Sequence, residues 1–508
     1  MVGLDRMRGG PTRGLHPAAL CCLGLAIASL ACVEKVRDPR PGIVVLIADD
    51  HAAESLGAAG HPWLRTPSLD RLAREGVRFT NAFVSTSLCA PARASFLTGQ
   101  YVRRHGVVDN GTPLAEDAET FATLLTAAGY DSAYVGKWHI GGVRGRPTGF
   151  VHVASFAGQG RYRDCPFWID GKPTPTSGHV DDVSTQLAID FLKRPRDGPF
   201  LLVLGFKGAH APREPPARFE DLYRDAEISW PANLRARPPY PRRQEHAALA
   251  EAAGVDVDRF IAPERWKQGI DRVAFDVPEA RRARGRRRYY QTLTGVDDNV
   301  GRVLDALDQL SLTDETIVVY VSDNGAHLYA HGMADKRSAY EESMRVVTLL
   351  RYPDHVQPGK TIDELVLNVD LAPTLLDFAG LPSPAAMQGE SWRGLLEGRS
   401  GGWRDAFVYE FYRGKHFRFV PSLIAIRTRE AKWIDYLDRP SWAELFDLVD
   451  DPGETVNLSG EAARRDEVAA LQRRLAQLEA ELGPRYQPAA GTSSGRGDDR
   501  SSEARRTP

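Results

Sequence analysis

The chain has few cysteines, no dominant charge and no apolar run long enough to cross a bilayer. Five cysteines stand among 508 residues. Cys21 and Cys22 lie in a segment expected to be removed and Cys32 ends it, which leaves Cys89 and Cys165. Two cysteines are a poor disulfide framework. A Cys89–Cys165 bridge and an inert buried thiol at 89 are the plain readings of the pair. Sixty-five basic and 67 acidic side chains give a formal net charge of −2. That balance argues neither for nucleic acid nor for acidic disorder. The apolar run "HPAALCCLGLAIASLAC" is shorter than the ~20 residues a spanning helix needs. No internal repeat is present. A content of 42% hydrophobic and 26% charged residues is that of a globular protein, with length for a large core and a second, smaller domain.

The N-terminal segment has an order of its own. Arg6, Arg8 and Arg13 precede the apolar run, and small residues close it at Cys32. A basic flank, a short apolar core and small residues describe an export signal over residues 1–32. "SLAC" is similar to a bacterial lipobox, with Ser29 where leucine is usual. The expectation is an exported chain, periplasmic or on the outer surface, with Cys32 as its first mature residue and candidate lipid anchor.

Four β-branched runs read as buried strands: "IVVLIADD" (43–50), "DSAYVGKWH" (131–139), "FLLVLGFKGAH" (200–210) and "TIVVYVSDNG" (316–325). Helical patterns lie between them: "SLDRLAREG", "FATLLTAAGY", "DVSTQLAIDFLKR" and "VDDNVGRVLDALDQL". The alternation predicts an α/β fold, a large and mostly parallel sheet flanked by helices, over residues 42–385. Residues 211–290, rich in Pro and Arg, read as a long surface excursion. Beyond "DLAPTLLDFAGLP" come short strand patterns, "AFVYEFY", "LIAIRTREAKWIDY" and "AELFDLVDD". They predict a small antiparallel sheet domain over 386–484. A helix over 461–482 would dock on it through Val468, Leu471, Leu475, Leu478 and Leu482. Residues 485–508 hold almost no apolar side chains and read as a disordered tail.

Each predicted strand ends in residues fit for chemistry. The first ends in Asp49-Asp50, the second runs into Lys137 and His139, the third ends at His210 and the fourth in Asp323-Asn324. Parallel strands present their carboxyl ends at one edge, where ligands bind, so these residues should converge. Asp49, Asp50, Asp323 and Asn324 make an oxygen-only set suited to a hard cation, Ca2+ or Mg2+, rather than zinc. Taken singly, each Asp pair also reads as a turn or a helix cap. In "SLCAPARASFLTGQ", Cys89 opens a helix with Pro91 in its first turn and Arg93 one turn on. Lys137 and Lys336 add cations. A nucleophile position, a divalent cation and several positive side chains suit attack on an oxyanion ester.

"CAPAR" followed by "LTGQ" resembles the signature of type I sulfatases, members of the alkaline phosphatase superfamily. "IADD", "TPSLDRLAREGVRFTNAF", "GKWH", "SDNGAHLYAHGMADKRSAYEESMRV" and "ELFDLVDDPGETVNL" extend the resemblance over residues 42–482. It implies that a formylglycine-generating or equivalent enzyme oxidises Cys89 to formylglycine (3-oxoalanine). The hydrate would give one oxygen to the cation and one for attack, which places residue 89 with Asp49, Asp50, Asp323 and Asn324 as metal ligands. By the same resemblance Arg93 positions the formylglycine and the metal, and His139 takes a proton from its second hydroxyl. Lys137, His210 and Lys336 hold the sulfate, the last two on the leaving-group side. Ala92 stands where serine is commonest in the signature, and Ala209 where many relatives have proline. "SFAGQGRYRDCPFWIDGK", "GHVDDVSTQLAIDFL" and "GFKGAHAPREPPARFEDLY" resemble the N-acetylglucosamine-6-sulfatase branch. The implied function is hydrolysis of sulfate esters of a carbohydrate.

Two other functions compete. One is hydrolysis of phosphonate monoesters or phosphodiesters on the same scaffold. The other is non-catalytic binding of sulfated glycans, should Cys89 stay a thiol; His139 as a proton-transfer residue argues against it. His61, His105 and His331 read as structural histidines. "RRARGRRR" (281–288) reads as a solvated helical face rather than a polymer-binding stripe.

Overall fold

The computed structural model describes Gly9 and residues 38–142, 145–239, 278–413, 420–437 and 439–487. The expected signal segment with Cys32, residues 240–277 of the Pro- and Arg-rich stretch, and 488–508 of the expected tail lie outside them.

The four apolar runs form the middle of a ten-stranded sheet. They are β1 (Gly42–Ala48), β2 (Asp131–Lys137), β3 (Phe200–Gly205) and β4 (Thr316–Ser322). Their spatial order is β4–β1–β3–β2, and all three pairings are parallel. Val45 sits between Val203 on one side and Val319 on the other. Side chains alternate across a strand, so Ile43, Val45 and Ile47 enter one core and Val44, Leu46 and Ala48 the other. Both faces are covered, which is why these runs are apolar throughout rather than alternating.

Helices α2 (Cys89–Thr98), α3 (Phe121–Ala127) and α6 (Leu371–Phe378) cover the first face. Helices α1 (Pro67–Glu75), α4 (Val180–Leu192) and α5 (Glu279–Gln309) cover the second. Asp297 of α5 accepts the N–H groups of Ser68 (3.2 Å) and Leu69 (2.8 Å), two donors that the first turn of α1 would otherwise leave unpaired. Helix α5 starts well ahead of the predicted Val296, so the surface excursion ends earlier than its composition implied. Its first turns, through Arg288, carry no buried residue, and burial begins only at Tyr289. An apolar period cannot report a helix segment that packs so little.

The C-terminal residues form an antiparallel four-stranded sheet: β5 (Ala406–Phe411), β6 (Leu423–Thr428), β7 (Ala431–Tyr436) and β8 (Glu444–Asp447), in that order. Helix α7 (Arg465–Leu482) buries Leu471 and Leu475 in its core, with Val468, Leu478 and Leu482 at the margin. Buried Arg103 ties this sheet to the segment after α2, pairing with Glu410 of β5 at 2.7 Å and with Glu479 of α7 at 3.1 Å.

Candidate active site

Residues from the carboxyl ends of the four parallel strands meet at the N-terminus of α2. Three backbone bonds stitch those ends together. Asp49 N–H donates to the Gly208 carbonyl (3.0 Å), Ala209 N–H to the Asp49 carbonyl (2.7 Å) and Asp323 N–H to the Ala48 carbonyl (3.1 Å). Asp50 and His139 adopt left-handed backbone, φ 65° and 64°, each just past its strand. Non-glycine residues rarely sit there, and such positions cluster where side chains must be aimed.

Helix α2 is buried along its whole length, and Ala90, Ala92 and Ala94 let it lie close to the sheet. Cys89 is its first residue. The thiol Sγ lies 3.5 Å from Asp49 Oδ1, 3.6 Å from Asn324 Nδ2 and 3.2 Å from Lys336 Nζ. One turn on, Arg93 Nε donates to Asp323 Oδ2 at 2.7 Å and Nη1 to the Lys137 carbonyl at 2.6 Å. Two glycines let the strands and the arginine approach one another closely. A Cβ on Gly136 (φ 89°) would stand 2.1 Å from the Gly205 carbonyl, and one on Gly205 would stand 3.1 Å from Arg93 Nη1.

Asp49, Asp50, Cys89 and Asp323 offer ligand atoms all within 4.8 Å of one another, and all four side chains are buried. Asn324 joins them, its Nδ2 reaching Asp323 Oδ1 at 2.8 Å and Asp50 Oδ1 at 3.3 Å. Lys137 Nζ contacts Asp49 Oδ2, and Lys336 Nζ contacts Asp50 Oδ1. Burial would raise the Asp49 carboxyl, but the charges of Lys137, Lys336 and Arg93 outweigh it and hold its pKa well below the usual range. Burial raises Asp50, with the Asp49 charge adding to it, and pushes Asp323 up to about 6. Burial also pushes the Cys89 thiol up to about 11, leaving it neutral near pH 7. His139 is held well below its ordinary value by burial and by the Lys137 charge; its Nδ1 lies 3.5 Å from Gln159 Nε2. Burial lowers His210 likewise, and its Nδ1 lies 2.6 Å from the Ala211 carbonyl.

The donor set fits a hard cation. It consists of three carboxylates and an amide, and two lysine ammoniums lie on the carboxylates as counter-charges. Among the described residues two buried atoms beside the thiol lack partners: Asn324 Oδ1, an acceptor, and Arg93 Nη2, a donor. An orphaned acceptor suits a metal and an orphaned donor suits an oxygen at residue 89.

The structure thus brings together Asp49, Asp50, Cys89, Arg93, Lys137, His139, His210, Asp323, Asn324 and Lys336. Cys165 does not join them. Both it and Cys89 are free and buried, so they form no bridge. The three bland histidines have protein partners. His61 Nδ1 accepts from Leu64 N–H (3.0 Å), His105 Nε2 lies 3.1 Å from Ser95 Oγ, and His331 stacks on Tyr340 with ring centres 4.0 Å apart. Arg286 of the "RRARGRRR" stretch is spent on the Leu328 carbonyl (2.9 Å), while Arg281, Arg284 and Arg288 are exposed.

Supporting residues escaped the sequence reading. Asp181 of α4 accepts the N–H groups of Lys207 (2.7 Å) and Gly208 (3.1 Å) and so shapes the turn before His210. Tyr162 OH donates to the His210 carbonyl at 2.5 Å, and Tyr289 OH to the Asp50 carbonyl at 2.8 Å. Lys207 lies beneath the site, its Nζ donating to the Gln159 carbonyl at 2.8 Å; burial and the Lys137 charge lower its pKa to about 8. Lys207 could have been noticed in "GFKGAH" beside His210; the tyrosines carry no such signal.

Comparison with known proteins gives concordant results. The sulfatase family model matches residues 41–381, and a second, described as N-sulphoglucosamine sulphohydrolase, C-terminal, matches 330–481. An N-acetylglucosamine-6-O-sulfatase of Bacteroides thetaiotaomicron is 33% identical, covering 94% of this chain and 92% of that protein. Human arylsulfatase A is 29% identical, covering 87% and 88%. A solved structure in complex with its substrate D-glucosamine-2-N,6-O-disulfate is 31% identical, with a TM-score of 0.77 over 87% of this chain and 98% of that one. The phosphonate monoester hydrolase of Agrobacterium radiobacter shares the fold, with a TM-score of 0.70 at 24% identity over 87% and 96%.

Proposed function

This chain belongs to the sulfatase family and is a sulfuric ester hydrolase, and we propose that it acts on a sulfated carbohydrate of the N-acetylglucosamine-6-sulfate kind, through a formylglycine made from Cys89 beside a divalent cation. The observation that carries the reading is the convergence of Asp49, Asp50, Asp323 and Asn324 on residue 89, with Arg93, Lys137, His139, His210 and Lys336 around it. The N-acetylglucosamine-6-O-sulfatase activity of the relative and the neighbour's bound substrate support the sugar.

Asp49, Asp50, Asp323, Asn324 and an oxygen at residue 89 would hold Ca2+, with Mg2+ as the alternative, and the ion supplies positive charge to the sulfate oxygens. Hydrated formylglycine supplies two hydroxyls on one carbon, one to displace the sugar alcohol at sulfur and one whose deprotonation releases sulfate. Cys89 as a neutral thiol offers neither. The other roles belong to this chain's side chains. Lys137, Lys336 and His210 bind the sulfate oxygens, the last two beside the departing sugar oxygen. His139, neutral in its buried setting, accepts the proton of the second hydroxyl. Arg93 fixes residue 89 against the metal carboxylates through its bond to Asp323.

Purified enzyme co-expressed with a formylglycine-generating enzyme should release sulfate from N-acetylglucosamine-6-sulfate and from an aryl sulfate, and should leave an aryl phosphodiester nearly untouched. Preference for the phosphodiester would favour the alternative activity. No hydrolysis by protein carrying the aldehyde, with the sulfated sugar still bound, would favour a glycan-binding protein. We further propose export, with maturation at Cys32. Recovering cytoplasmic protein that retains Met1–Ala31 in its own cell would contradict that.

A further inference from the structure

A cavity of about 200 Å3 lies beside the catalytic pocket's loops but is not part of it. Its lining includes Glu54, Arg78, Thr80, Arg345 and Thr348. Ala53 and Glu54 continue the loop that bears Asp49 and Asp50, and an isolated bridge pairs Ala52 with Val346. The volume is several times the ~30 Å3 share of one water. It is smaller than the ~300–1,000 Å3 of drug-sized sites. It therefore has room for one small charged group or a single sugar substituent, not for a chain.

Its charge pattern is unbalanced. Arg78 is half-buried, and its guanidinium has neither a hydrogen bond nor an ion pair among the described residues. Arg345, also half-buried, spends only Nε, on the Thr80 carbonyl at 2.8 Å. Burial and the Arg345 charge both hold Arg78 below the ordinary arginine value, so the two cations repel one another. Glu54 is the one carboxylate in the lining, and it is bonded to neither arginine. Guanidinium groups present planar paired donors that match the oxygens of sulfate or carboxylate.

We propose that the Arg78–Arg345 cavity is a second oxyanion site, which takes a sulfate or carboxylate group apart from the one being hydrolysed. Thr348 lines the same space and brings a hydroxyl to it, whereas the Thr80 hydroxyl donates to the Ile362 carbonyl at 3.3 Å. Glu54 competes with the anion for the arginines.

Crystals of the full chain soaked in sodium selenate, and binding of radiolabelled sulfate by equilibrium dialysis, test this. Selenate should be found between Arg78 and Arg345. Arg78→Gln should remove it there and lower the number of sulfates bound per chain by one. At pH 8, above the value of about 7 to which burial pushes the Glu54 carboxyl, Glu54→Gln should tighten binding at this site about two- to fivefold, on the scale of a single partly exposed charge contact. This opposite sign separates anion binding from a general loss of structure, and it remains readable should Arg78→Gln fold poorly. A second soak with a sulfated monosaccharide identifies the source: sugar density joined to the anion means a saccharide-borne group, and selenate alone means a free anion. Only water in the cavity at selenate concentrations that fill the catalytic pocket would overturn the proposal. So would weaker binding in Glu54→Gln.

Discussion

Replacing Arg93 by methionine keeps most of the side chain's volume and deletes its charge. Its partner Asp323 is wholly buried and held at 2.7 Å. Removing one member of a buried pair leaves the other charge unpaired, which costs roughly 3–5 kcal/mol. The loss at the Lys137 carbonyl is smaller, because Tyr134 OH still donates to it. Cation-free Arg93→Met should therefore unfold in urea with a stability about 3–5 kcal/mol below the parent. Saturating Ca2+ should shrink that gap, since the ion supplies the missing positive charge to Asp323. Adding Asp323→Asn to the variant should recover much of the loss in chelator, because no buried charge then lacks a partner. A loss under about 1 kcal/mol, the scale of an exposed pair, would refute the reasoning. So would a double variant whose loss equals the sum of the two single losses.

Cys89→Ser, incubated with substrate, should turn over at most about once and gain the mass of a sulfo group at residue 89, whereas Cys89→Ala should bind without either event. Sustained turnover by the serine variant would rule out release through a second hydroxyl. Chelation should abolish hydrolysis and Ca2+ or Mg2+ should restore it; Asp323→Ala should lose activity by orders of magnitude even at saturating cation. Full activity in exhaustively stripped protein would remove the metal from the account. Away from the site, burial pushes Asp297 up to about 7 from an ordinary 3.8. Its stabilising contribution is complete below pH 3.8 and lost as pH rises through 7. Asp297→Asn should thus gain stability relative to the parent between pH 4 and 7; a difference that stays flat over that window would contradict the shift.

The sheet was legible because runs such as "IVVLIADD" and "TIVVYVSDNG" are apolar on both faces, a pattern that double coverage by helices requires. The site was legible at its chemistry-bearing ends, since a parallel sheet gathers the residues that follow its strands. Much of what supports it was not. Gly136 and Gly205 are 69 residues apart, and only the register of β2 and β3 reveals that Gly136 makes room for the Gly205 backbone while Gly205 leaves room for Arg93. Asp181 reads as an ordinary first-turn helix residue until its carboxylate is seen on the amides of Lys207 and Gly208. Arg78 and Arg345, 267 positions apart, share a cavity only because their segments lie together in the sheet. The early turns of α5 were missed for the opposite reason, as a helix with almost no buried face leaves no periodic trace.

The central claim is that residue 89 works as an aldehyde rather than a thiol. Trypsin cutting after Arg78 and Arg93 releases residue 89 within the peptide 79–93. Its mass, measured on protein from its own cell that hydrolyses a sulfate ester, is the most direct test. The account predicts formylglycine or its hydrate at position 89, in proportion to activity. An intact cysteine there, in protein that turns over sulfate esters at full rate, would contradict it.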